Sequence, residues 1–151
     1  MALPEDSPWV DAILDWRWTW LAARVGLSGA YLFGGLTKLF NFQAAVAEQA
    51  HFGLHPAWLW AGLAIVVELA GSALLISGRL VWLGAGALGV LTLIASVVAN
   101  DFWNMSGQAR LAAANAFSEH IGLIAGFVMA ALIARRAPNP RTDAGVSHAR
   151  T

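Results

Sequence analysis

No cysteine occurs anywhere in the chain. That absence excludes disulfides, thiol–disulfide exchange, iron–sulfur clusters and thiolate metal sites together. Any redox chemistry must then be supplied by a bound cofactor or a partner. Charge is nearly as scarce: Asp, Glu, Lys and Arg make up 12% of the residues, where a soluble domain carries roughly 25%. Acidic and basic residues balance at nine each, so nucleic-acid binding has no electrostatic support. What fills the chain is apolar, 58% of it. This composition marks a membrane protein, and the 151 residues suit one compact unit. The opening MALPEDSPWVDAILDW is acidic and lacks the basic segment of a secretory signal, so the first hydrophobic helix is expected to stay in the mature protein.

Four hydrophobic segments, at about 18–40, 57–77, 80–100 and 111–134, each have the length to cross a hydrocarbon core of roughly 30 Å as a helix. The expected fold is all-α, an integral membrane four-helix bundle. Residues 1–17 read as a polar lead-in and 135–151 as a disordered cytoplasmic tail. Trp16, Trp18 and Trp20 gather at the start of the first segment as headgroup anchors. Gly26, Ala30 and Gly34, and again Gly122 and Gly126, recur every fourth residue and predict flat faces for close helix approach. FNFQAAVAEQAHFGLHP is too short and polar to span and predicts an amphipathic surface helix ended by Gly53 and Pro56. A tight turn at Gly78–Arg79 leads into the third segment, which has no ionisable residue and reads as packing scaffold. With four crossings, Arg17, Arg79, Arg135, Arg136, Arg141 and Arg150 fall on the side of the termini, and Lys38 and Arg110 on the other. Positive-inside reasoning then puts both termini in the cytoplasm, in a multi-pass plasma (inner) membrane protein.

Glu68 sits near the middle of the second segment, where an ionised acid costs from about 2.5 kcal/mol upward. It lies about 11 residues, or roughly 16 Å, from the outer end of its helix, and His120 about 9 residues, or roughly 13 Å, from the outer end of the fourth. Lys38 lies above them and Arg24 below. One expectation is a shared cavity: Glu68 and His120 face it with Arg24 or Lys38, while Glu119, about 100° round the helix from His120, turns to a neighbouring helix or partner. Asp101, Trp103 and Asn104 either line its mouth or are plain interfacial loop residues. The competing expectation is an ion-pair network, Glu68 with Arg24, in which Lys38 only reaches the headgroups. His51 and His55 are spaced for one helix face, but Gly53 lies between them and the ligand set is incomplete, so they read as a surface pair. Only His120 lies within a span, so neither a metal nor a haem is expected.

RVGLSGAYLFGGLTKLF, a loop ending FGLHP, then VVELAGSALLISG, and FSEHIGLIAGF after an FWN loop appear in this order. Together they resemble the DoxX family over roughly Arg24 to Arg135. The matching positions are Arg24, Gly35, Lys38, Gly53, Pro56, Glu68, Gly71 and Gly78, while Glu119 and His120 resemble the last helix of part of the family. The resemblance implies a small four-helix membrane protein tied to redox systems and quinones. Type members are a subunit of a thiosulfate:quinone oxidoreductase, and others are linked to oxidative-stress complexes. The separate soluble subunit of a thiosulfate enzyme has no counterpart here.

The expected function is a redox-linked subunit that binds a quinone or relays protons. Glu68, His120 and Glu119 would handle protons. Arg24, Lys38, Asp101, Trp103 and Asn104 would hold the cofactor, with Arg24 or Lys38 steadying an anionic oxygen. The expected partners are the lipid bilayer, a quinone and an oxidoreductase protein, and a homo-oligomer stays open. Two alternatives stand beside this: a non-catalytic scaffold or assembly partner of an oxidoreductase complex, and a small-solute transporter.

Overall fold

A computed structural model describes residues 8–136. The start of the lead-in and the tail expected to be disordered, from 137 onward, lie outside the described residues. Within them the protein is all-α: α1 (Pro8–Leu14), α2 (Arg17–Phe40), α3 (Phe42–His51), α4 (Ala57–Ser77), α5 (Val81–Ala99) and α6 (Gly107–Arg136), with one 3₁₀ turn at Phe102–Asn104. Long apolar runs without proline become helices because a helix satisfies its own backbone hydrogen bonds, which oil cannot do. α4, α5 with the turn that follows it, and α6 are long and apolar enough to cross a membrane. α2 departs from expectation. Its 24 residues have the length, but Arg24, Lys38, Trp18 and Trp20 interrupt the run, and it is not among the helices apolar enough to qualify.

α2 packs on α4, α4 on α5 and α5 on α6, while α2 and α6 touch lightly. Leu75, Val81, Ala85, Leu88 and Phe127 form the core, with Leu27, Tyr31 and Leu123 around it. The helices approach most closely at glycines other than those the four-residue spacing singled out. A Cβ on Gly84 would lie 2.7 Å from the Gly71 carbonyl oxygen, and one on Gly35 would lie 2.9 Å from Leu69 Cδ2. Gly26 and Gly122 face open space, and Gly126 meets only Leu27. Among the described residues, the Gly26–Ala30 and Gly122 faces are therefore bare.

The contact at Gly35 sets the stagger of the first two long helices. Gly35 lies near the C-terminal end of α2, whereas its partner Leu69 lies twelve residues into α4, just past its midpoint. At 1.5 Å per residue α2 stops about 10 Å short of the plane where α4 begins. α3 occupies that step and packs on α4, with Ala45 buried.

Candidate functional site

The stagger brings Lys38 down to Glu68. Lys38 Nζ donates to Glu68 Oε1 at 2.7 Å, with 22% and 10% of the two side chains exposed. Lys38 stands one turn beyond Gly34, and the missing Cβ of Gly34 leaves room for the carboxylate: that atom would lie 3.5 Å from Glu68 Oε2. Oε2 is buried and has no hydrogen-bond partner. A buried polar atom without a partner is uncommon in a folded protein.

Arg24 takes no part in this pair. Its guanidinium lies against Gly78, at the far end of α4. Gly78 has φ +73° and closes α4 in the left-handed region, where a side chain is strained and would also meet Arg24. Ten residues of helix, about 15 Å, separate Gly78 from Glu68. The Glu68–Arg24 network therefore gives way to a Glu68–Lys38 pair.

A second polar group was missed by sequence reasoning. α5, read as plain scaffold, buries Thr92 and Ser96 on one face. Tyr31 of α2 meets Thr92 Oγ1 at 2.6 Å, and Ser96 Oγ meets His120 Nδ1 of α6 at 2.8 Å. Asn100 reaches the same ring nitrogen at 3.4 Å. The available signal was the spacing of Thr92, Ser96 and Asn100 at four-residue intervals in an apolar helix, which stacks them on one face. His120 thus turns toward α5, while Glu119 is exposed and accepts from Asn115 on its own helix at 2.7 Å. Glu68 and His120 do not meet: one belongs to the α2–α4 contact and the other to the α5–α6 contact.

A groove of about 570 Å³ runs between α4 and α5 under α3. Its walls are apolar, with Trp60, Val67 and Trp82 among them, and its polar end carries Lys38, Glu48 and Gln49. From Trp82 to Ala99 it follows nearly all of α5, about 26 Å at the helical rise. Lys38 borders it; Glu68 and His120 do not. Asp101, Trp103 and Asn104 are not on this groove either. Asn104 donates to Asp101 at 3.2 Å, and Trp103 stacks edge-on with Phe102 and Phe117 in the α5–α6 turn. His51 and His55 are exposed, and no group of three His, Asp or Glu side chains is placed to hold a metal among the described residues.

Three helices long and apolar enough to cross a membrane, with their few polar side chains paired between helices, mark an integral membrane protein. The chain belongs to the DoxX family, whose model matches residues 19–101, more than half its length. The match covers Lys38, Glu68, Thr92 and Ser96 but ends before the FSEHIGL segment of α6. No curated protein and no solved structure matches the chain significantly.

Proposed function

We propose that this protein is a redox-linked subunit that holds a quinone, its ring at the Lys38–Glu68 pair and its apolar tail in the groove between α4 and α5. In this reading α2 is the fourth crossing helix of a four-helix bundle in the plasma membrane. Arg24 snorkels to the same side as Arg17, Arg79, Arg135 and Arg136, which supports cytoplasmic termini. One observation carries the reading: Lys38 both borders the groove and pairs with the buried carboxylate. A groove about 26 Å long suits a chain-shaped apolar occupant better than a compact one.

A bound quinone would supply the two-electron, two-proton chemistry that a cysteine-free chain lacks. The residues present fit such a group. The Lys38 ammonium has three hydrogens, one of them committed to Glu68, leaving donors for a ring carbonyl oxygen. Glu68 Oε2, buried and unpartnered, is free to hold a proton. The hydroxyl row does not extend this into a continuous proton path, because Thr92 Oγ1 donates to the Leu88 carbonyl and Ser96 Oγ to the Thr92 carbonyl. Proton handling is therefore local to the pair.

The test is purification in lipid nanodiscs with extraction and quantification of quinone, alongside titration with a short-tailed quinone read by quenching of Trp60 and Trp82. Wild type should retain quinone, and Lys38→Met and the groove-filling Gly86→Phe should each lower binding at least tenfold. Wild type that neither retains nor binds quinone overturns the reading. A second reading, an assembly partner of an oxidoreductase complex, is favoured by the bare Gly26 and Gly122 faces. Stoichiometric co-purification of a partner, lost in Gly26→Leu or Gly122→Leu, would support it.

A further inference from the structure

We infer that Ser96 holds His120 as the Nδ1–H tautomer, leaving the lone pair of the ring on Nε2, at a place separate from the Lys38–Glu68 pair. The argument counts hydrogens. A serine hydroxyl has one. Ser96 Oγ lies 2.7 Å from the Thr92 carbonyl oxygen. A carbonyl oxygen can only accept, so the hydroxyl hydrogen is committed there. The 2.8 Å contact between Ser96 Oγ and His120 Nδ1 then requires the ring nitrogen to be the donor. In a neutral imidazole, Nε2 must carry the lone pair.

The same reasoning one turn earlier gives the same result. Thr92 Oγ1 donates to the Leu88 carbonyl at 2.7 Å, so at 2.6 Å the Tyr31 phenol must donate to Thr92. Two successive hydroxyls of α5 act as acceptors toward neighbouring helices because each returns its hydrogen to its own backbone. Asn100 stands with its amide Nδ2, a donor, 3.4 Å from Nδ1; an Nδ1–H ring requires that amide to be turned so that its oxygen faces the ring, and the two ends are interchangeable in shape.

The two ring nitrogens point in roughly opposite directions, so Nε2 is directed away from α5. His120 is half-buried and stands one helical turn from Phe117, which packs edge-on against Phe102 and Trp103. Nε2 therefore carries the free lone pair of the ring. Ser96 is a positioning residue, since it sets which ring nitrogen holds the hydrogen. The inference is independent of the quinone reading and stands or falls without it.

The experiment is ¹⁵N nuclear magnetic resonance of histidine-labelled protein in nanodiscs at about pH 8, where an ordinary imidazole is neutral, with His120→Gln used to assign the signal. Wild type should show a protonated Nδ1 and an unprotonated Nε2. Ser96→Ala should shift the population toward the Nε2–H form, and Ser96→Thr should restore the wild-type pattern. An unprotonated Nδ1 in wild type overturns the inference, and so does an Nδ1–H form that persists unchanged in folded Ser96→Ala. The wild-type spectrum alone is decisive if that variant fails to fold.

Discussion

Replacing Lys38 by methionine keeps the stem of the side chain and removes its ammonium from Glu68. Breaking a buried ion pair by deleting one partner costs about 3–5 kcal/mol, because the other charge is left uncompensated. Here the pair is incompletely buried, with 22% of the lysine side chain and 10% of the glutamate exposed, so the expected loss is about 2–3 kcal/mol, below that range. Glu68→Gln should cost less, about 1–2 kcal/mol, since the amide still accepts from the ammonium. The double variant should cost clearly less than the sum, with a coupling of about 1 kcal/mol or more. Thermal unfolding in detergent, followed through the eight tryptophans, can read these differences. A loss of 2–3 kcal/mol corresponds to a midpoint lowered by roughly 4–12 °C at this chain length. Single-variant losses that add to within about 0.5 kcal/mol would refute the pairing, because sites in contact do not behave independently.

Gly84→Val should destabilise by about 1–3 kcal/mol or prevent folding, because its Cβ would meet the Gly71 carbonyl; Gly86→Ala, with nothing within 4 Å, should leave the melting midpoint level or higher. Gly26→Ala and Gly122→Ala should likewise raise helix stability by up to about 1 kcal/mol if these faces meet only lipid. A lower midpoint in either would show that another protein surface packs there. Thr92→Val strands the Tyr31 hydroxyl inside the core and should cost about 1–3 kcal/mol. Adding Tyr31→Phe should recover much of that loss, and equal midpoints for Thr92→Val and wild type would dismiss the hydrogen bond.

The residues of the two polar contacts were legible to different degrees. Glu68 stood out because an acid in an apolar run is costly wherever its helix packs. Lys38 is visible as a cation, but the sequence leaves open whether it joins Glu68 or only reaches the headgroups, since counting from the helix ends assumes that α2 and α4 start from a common plane. Their stagger of about 10 Å breaks that assumption and lowers Lys38 to the level of Glu68. Thr92 and Ser96 went unremarked because uncharged hydroxyls can return a hydrogen bond to their own helix and so give little sign of a role between helices. The glycine stripes were partly informative for a related reason. Small residues permit close approach but do not say which neighbour takes it up: Gly34 and Gly126 meet Glu68 and Leu27, Gly35, Gly71 and Gly84 come closer still, and Gly26 and Gly122 meet nothing among the described residues.

The sequence by itself determined the solvent and the secondary structure. With so little charge the chain belongs in lipid, and in lipid an apolar run must satisfy its backbone locally, so α4 coincides with the run Ala57–Ser77. Only the tertiary structure decided which base meets the buried acid, which way His120 turns, and where the apolar groove lies. Helix formation depends on neighbours within one turn. The axial offset between two helices depends on the fit of side chains more than thirty residues apart, such as Gly35 against Leu69, and a slip of α2 by one turn, about 5.4 Å, would take Lys38 away from Glu68.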